Sequence, residues 1–195
     1  KYILVAADCF TKWAEAYGIP NQEACTVAKK LVDEMFCRFS PPEQLHSDQG
    51  RQFEFELFSQ VCKLLQVKKM RTTPYRPQCN GMVERFNRTL LNMLSTTAGS
   101  HPSNWELYIR KVYFAYNSSR HSTTGYSPFF LMFGRQATLP VDLMYPLTRC
   151  PQMSVPEYVQ QLEESLTEAY ATVRQHSHME HCRQKAIYDE RVHGK

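Results

Sequence analysis

Apolar residues in this chain follow two rhythms, short β-rich runs near its start and longer stretches repeating at three and four, which predict strands and amphipathic helices respectively. Residues 2–7 form an unbroken apolar run. A second strand over 12–19 closes at Pro20, and with Asp8, Cys9, Phe10 and Thr11 as the connection the two predict an antiparallel pair. Asn21 is a good N-cap, and Ala24, Val27, Ala28, Leu31, Val32, Met35 and Phe36 follow at helical spacing, so 22–38 predicts a helix ended by Pro41 and Pro42. Residues 43–47 predict a short strand that delivers Asp48 at its C-terminal edge, where open α/β sheets place ligand sites. Phe55, Phe58, Val61, Cys62 and Leu65 predict another helix, and 67–72 another strand.

The stretch 73–81 breaks both rhythms. Pro74, Pro77 and Gly81 interrupt it, which predicts an irregular loop. It feeds a helix over 82–97, with Phe86, Leu90, Met93 and Leu94 inward and Arg85 and Arg88 off that stripe. Residues 105–117 predict a helix rich in Tyr and Phe, and Ser127-Pro128 opens a short one over 129–133, closed by Gly134. Ser154 and Glu157 make a capping box for a long helix running toward Tyr188, on which Val155, Val159, Leu162, Leu166, Ala169 and Val173 step by three or four. The order of elements predicts an α/β chain with a long C-terminal helical extension.

Composition narrows the function classes. A chain of 195 residues that is 43% hydrophobic buries a core of ordinary size, most simply as one domain plus an appendage, which excludes a disordered tail. The net charge of +4 is too mild to show a polyanion partner by itself, so the placement of charges matters more than their sum. The seven cysteines are odd in number and form no CxxC pair, against both a disulfide framework and a zinc ribbon; an intracellular, reducing compartment, nuclear or cytoplasmic, fits them. No apolar run approaches the roughly 18 residues a membrane span needs, and no signal peptide opens the chain, so neither a membrane protein nor a secreted one is expected.

Two acids carry the chemistry. Asp48 lies in the turn His46-Ser47-Asp48-Gln49-Gly50, and thirty-five residues separate it from Glu84 in Val83-Glu84-Arg85-Phe86-Asn87-Arg88. Each has a plain structural reading, Asp48 as a turn former and Glu84 as an acid in the first turn of a helix, where the macrodipole favours it by about 0.3–1 kcal/mol. Capping leaves the basic surroundings of Glu84 unexplained. Arg85 and Arg88 flank it, after a loop that holds Arg76, Gln78 and Asn80, a setting suited to metal ions meeting a phosphate backbone. Elsewhere, His178 and Cys182 stand four apart in a helix but lack a complementary pair, so His176–Cys182 reads as a solvated helix face. Tyr113, Phe114 and Tyr116 could stack on bases, but aromatics at this spacing read better as core.

From Lys1 to about Pro146 the chain resembles the catalytic core of a retroviral or retrotransposon integrase, closest to the gypsy type. The phrases that carry the likeness are Tyr2-Ile-Leu-Val with Asp8, Phe10-Thr-Lys-Trp13, His46-Ser-Asp-Gln-Gly-Arg-Gln-Phe53, Thr73-Pro-Tyr-Arg-Pro-Gln-Cys-Asn-Gly-Met-Val-Glu-Arg-Phe-Asn87, Ala115-Tyr-Asn117 and Ser127-Pro-Phe with Phe133-Gly134. It implies an RNase H-like mixed sheet flanked by helices over 1–146. Residues 147–195 would then be a helical connector toward a C-terminal module. It also implies three carboxylates binding two Mg²⁺ or Mn²⁺ ions, for 3′-end processing of element DNA and its transfer into target DNA by a homo-oligomer. Asp48 and Glu84 match the second and third acids. Tyr75, Gln78, Asn80, Arg85 and Arg88 are the residues expected to contact DNA.

The same likeness places the first catalytic Asp on a strand ahead of Lys1 and gives Asp8 a turn role. The chain is therefore expected to lack its first strand and to hold two acids of three. A non-catalytic DNA-binding or assembly module, from a decayed or domesticated element, is the alternative expectation. A cut-and-paste transposase or an RNase H nuclease would share the metal chemistry but explains Ala115-Tyr-Asn117 and Ser127-Pro128 poorly.

Overall fold

The computed structural model of the chain describes residues 1–48, 50–71, 77–98, 105–144 and 154–193. Strands β1 (Tyr2–Ala7) and β2 (Ala14–Ile19) are hydrogen-bonded neighbours. Their connection is too short for the crossover a parallel pair needs, so they form the expected hairpin. The second strand starts later than residue 12 because Lys12 has φ of 65°, a left-handed turn conformation that a strand excludes. β2 is buried almost throughout, Glu15 included. That carboxylate meets Arg38 Nη1 at 2.8 Å and accepts the Tyr17 hydroxyl. Burial, with the Glu15 charge beside it, pushes the Tyr17 phenol above its ordinary range.

The first long helix is α1 (Ala24–Leu31), which continues through a π-helical segment (Val32–Phe36) into α2 (Cys37–Phe39). It begins two residues after the sequence-based start. Asn21 is not its cap; its Oδ1 accepts from Glu23 N at 3.2 Å and shapes the approach, while Glu23 stands at the cap position. Strand β3 (Gln44–Ser47) then pairs in parallel with β4 (Lys68–Arg71), with Leu45 opposite Lys69 and Ser47 opposite Arg71. Between them run α3 (Arg51–Glu54), which the apolar pattern does not announce, and α4 (Glu56–Leu64). One core unites these elements: Leu4, Tyr17 and Ile19 from the hairpin, Val27, Leu31 and Phe36 from the first helix, Phe58 and Cys62 from α4, and Val67. Burial raises the Cys62 thiol pKa, so this cysteine is a core residue.

The next helix corrects an expectation. α5 spans Pro77–Ala98, so residues 77–81 are helical and not loop. Proline is tolerated as the first helical residue, where its missing N–H has no partner to lose, and Gly81 costs only about 1 kcal/mol in a helix this long. α5 packs on β1 and buries Phe86, Leu90 and Leu94. α6 (Glu106–Ser118) follows and buries Ile109 and Val112.

Packing divides the chain into two compact units, Lys1–Ala7 with Glu15–Tyr113, and Asp8–Ala14 with Phe114–Lys195. In the second, α7 (Pro128–Phe133) is capped by Ser127 Oγ, which accepts from Phe130 N at 3.1 Å, and closed by Gly134 at φ 70°. A short α8 (Pro140–Met144) comes next, unannounced by any periodicity. α9 (Val155–His193) opens on the expected capping box, with Ser154 N donating to Glu157 Oε2 at 2.9 Å. Leu131, Ala169 and Val173 form the core between α7 and α9, and the Tyr170 hydroxyl donates to Leu131 O at 2.9 Å. Of the apolar stripe expected on α9, only this middle is deeply buried; Val155 and Val159 remain exposed. The proposed boundary near residue 146 lies outside the described residues.

Candidate functional site

Asp48 follows β3 directly, at the C-terminal end of the parallel β3–β4 pair. It is exposed. Its Oδ1 accepts from Gly50 N at 3.0 Å, so the plain turn-forming reading is realised with one carboxylate oxygen. Among the described residues, no partner is recorded for the other oxygen. A Cβ on residue 50 would stand 2.5 Å from Gln52 Nε2 and 2.9 Å from Asp48 Oδ1, so glycine lets these two side-chain ends sit close over the turn.

The turn is pinned from behind. Phe53 N and Glu54 N both donate to Gly50 O, at 2.9 and 3.2 Å, forming α3. Lys69 of β4 donates Nζ to Phe53 O and pairs with Glu54 Oε1 at 2.8 Å, both side chains being largely buried. Lys69 is thus a positioning residue that ties the Asp48 loop to the neighbouring strand. Sequence reasoning missed it because its partners stand fifteen and sixteen residues away and meet it only through the parallel crossover.

Glu84 lies on α5, seven residues past its first residue and exposed. The helix macrodipole falls off within the first turn, so the capping explanation for Glu84 does not survive the helix's true start. Arg88 stands four residues on, one turn along the same face, and both Arg85 and Arg88 are exposed. Gln78 and Asn80 fall in the helical first turn of α5, and their side chains lie outside the described residues, as does Tyr75 altogether. Asp48 and Glu84 belong to the same compact unit.

A divalent hard cation asks for oxygen donors, and two exposed carboxylates supply the right type. Among the described residues, no group of three His, Cys, Asp or Glu side chains is gathered to hold a metal ion. Asp8 is not a spare ligand. Its Oδ2 accepts from Thr11 N and Thr11 Oγ1, both at 2.7 Å, and from Phe10 N at 3.2 Å, which makes it the cap of the hairpin turn. His178 and Cys182 do meet, Sγ to Nε2 at 3.8 Å, on an exposed helix face. Of the three α6 aromatics weighed as base-stacking candidates, Tyr113 and Tyr116 are half-buried, and burial raises the Tyr113 phenol pKa. Phe114 is more exposed and stands edge-on to Phe129.

Residues 1–77 and 65–128 each match the family described as Integrase core domain, in two overlapping segments. The chain belongs to the integrase core family. This integrase core is 26% identical over 182 residues to the Retrovirus-related Pol polyprotein from transposon 412 of Drosophila melanogaster, an alignment that covers 93% of this chain and 15% of that polyprotein. It therefore spans a small part of such a relative's length. Among solved structures it is similar to the catalytic core domain of BIV integrase, with 28% identity, a TM-score of 0.58, and coverage of 68% of this chain and 85% of that one. The HTLV-2 integrase catalytic core in complex with magnesium shares the fold at 17% identity and a TM-score of 0.57, covering 67% of this chain and 83% of its own. The fold is thus the RNase H-like α/β fold of integrase catalytic cores, and this chain carries a long C-terminal helix as well.

Proposed function

We propose that this protein is the core of a gypsy-type retrotransposon integrase, a polynucleotidyl transferase that processes element DNA ends and joins them to target DNA. The observation that carries the reading is an integrase core whose Asp48 stands exposed at the C-terminal end of a parallel strand pair, one carboxylate oxygen fixed by Gly50 and the other without a partner among the described residues. Asp48 and Glu84 would hold Mg²⁺ or Mn²⁺, two ions in the complete site. The oxygen-only donor set and the magnesium complex of the HTLV-2 core support that choice. When bound, such ions supply Lewis-acid stabilisation of the charge that develops at the phosphodiester.

The remaining work falls to the chain. A water or a DNA 3′-hydroxyl attacks phosphorus in line, the P–O bond to the leaving 3′-oxygen breaks, the attacking oxygen gives its proton to solvent, and the leaving oxygen takes one up to become a 3′-hydroxyl. Gly50, α3 and Lys69 hold the Asp48 carboxylate in position for this step. Tyr75, Gln78, Asn80, Arg85 and Arg88 would grip the DNA ends near Glu84, the arginines through phosphates. Residues 1–146 would form the core and 147–195 the connector, and assembly would be as a homo-oligomer, in keeping with the trimeric and dimeric forms in which the HTLV-2 core is described. No helix among the described residues is long and apolar enough to cross a membrane.

The test is Mg²⁺-dependent joining of a DNA 3′-end to a second duplex, assayed on the protein that carries this core. Asp48→Asn and Glu84→Gln should each lower joining by about a hundredfold or more while leaving DNA affinity in place. Full joining by either variant overturns the site assignment. A protein that binds DNA but joins it under no divalent metal supports a non-catalytic DNA-binding or assembly module.

A further inference from the structure

In the unit that does not contain Asp48 and Glu84, the turn between α6 and α7 carries a set of converging donors. It is stiffly braced: His121 N donates to Tyr126 O at 2.9 Å, Gly125 N to His121 O at 2.8 Å, and the buried Thr124 hydroxyl to Tyr126 O at 3.0 Å. Its flanks are held with it. Arg120 donates Nε to Gly125 O at 2.7 Å, which fixes the guanidinium plane and leaves its Nη groups for a ligand. His176 of α9 approaches from the other side. A methyl group built on Gly125 would stand 3.7 Å from Arg120 Nη2 and 3.7 Å from His176 Nδ1, ordinary contact distances, so both nitrogens converge on the bare face of this glycine. Glycine is required there by a φ of 76°. Among the described residues, neither Arg120 nor His176 is paired with a carboxylate.

The geometry points to a cradle for one phosphodiester of a DNA backbone, held by Arg120 Nη and His176 over Gly125. A phosphodiester carries a single charge shared by two non-bridging oxygens, which one guanidinium and one imidazole N–H match in charge and in number of donors. The bare glycine lets the strand approach the turn closely. The cradle rests on the proposed DNA-joining role only for the identity of its polyanion, and it lies on the unit that does not contain Asp48 and Glu84. Its contacts are to phosphate alone, so it fixes the position of DNA without reading sequence.

The experiment is fluorescence-anisotropy binding of a DNA duplex to the 195-residue chain in EDTA, over a series of salt concentrations. Without divalent ions the proposed metal site has no part in the result. Arg120→Ala should weaken binding about tenfold for any sequence and reduce the slope of log affinity against log salt by about 0.9, the value for one phosphate contact. Arg120→Lys should keep the slope and lose part of the affinity, because a point charge replaces the fork. His176→Ala should weaken binding about threefold, less than the arginine because its donor carries no fixed charge. Melting curves identify a variant that fails to fold, and Arg120→Lys and His176→Ala then decide. Wild-type affinity and slope in both Arg120→Ala and His176→Ala overturn the cradle, as does a chain that binds no DNA. If Asp48→Asn abolishes joining while Arg120→Ala binds normally, only the cradle falls. If Arg120→Ala loses affinity while Asp48→Asn still joins DNA, only the metal site falls.

Discussion

Asn117 shows how one side chain can stand in for a strand. It is fully buried, accepts from Ala14 N at 3.0 Å and donates Nδ2 to Ala14 O at 2.8 Å, so the first residue of β2 is paired as if a neighbouring strand lay beside it. This gives Ala115-Tyr-Asn117 a structural reason. Asn117→Ala leaves two buried backbone groups unpaired and should cost about 2–4 kcal/mol, read as a lower urea midpoint. Asp8 is the opposite kind of residue, a local cap whose role follows from its place before Phe10-Thr11. Asp8→Asn retains an acceptor oxygen and should keep both DNA affinity and joining; loss of joining would make Asp8 a catalytic acid. Gly50→Ala crowds Asp48 Oδ1 and Gln52 Nε2, displaces the carboxylate and should lower joining about tenfold with little change in melting temperature. The type and place of Asp48 and Glu84 were legible from sequence, since strand ends and basic surroundings are local signals. Lys69, Arg120 and His176 were not, because their partners meet them only after folding.

Among elements, the helix with the plainest sequence signature behaves as that signature says. The Ser154 backbone N–H, and after it the Ser154 hydroxyl, hold the Glu157 carboxyl below its ordinary value of 4.5. A carboxyl whose folded value is depressed contributes its full stabilisation above the unfolded value and loses it as pH falls through the folded one. The first turn of α9 should therefore be equally protected at every pH above about 5 and fray below 4.5. Amide exchange at Glu157 and Tyr158, whose N–H groups donate to Ser154, checks this, and protection that persists to pH 3 contradicts it. Helices with continuous apolar stripes were legible, whereas α3 and α8 were not, because so few residues carry no period. The start of α5 was misread for a different reason: Pro77 and Gly81 look like breakers, yet proline opens helices readily and one glycine is carried by a long run of helix formers.

At the scale of the whole molecule, the core that unites the β1–β2 hairpin, α1, α4 and Val67 follows from apolar positions already visible in the chain. The grouping of residues 8–14 with the C-terminal half does not, since it depends on long-range contacts such as Phe10 against Tyr170, ring centroids 5.2 Å apart. Leu131 has no exposed surface in that second core, so Leu131→Ala should cost about 2–5 kcal/mol and loosen α9, seen as a lowered melting temperature and lost helical signal. The central claim is that Asp48 and Glu84, from a strand end and a helix of one unit, share a cation. Paramagnetic broadening by Mn²⁺ in NMR spectra of the chain tests it most directly. Substoichiometric Mn²⁺ should broaden the resonances of both Asp48 and Glu84, and Asp48→Asn or Glu84→Gln should abolish the broadening at both positions. Broadening confined to one of the two acids, or surviving in both variants, would contradict that claim.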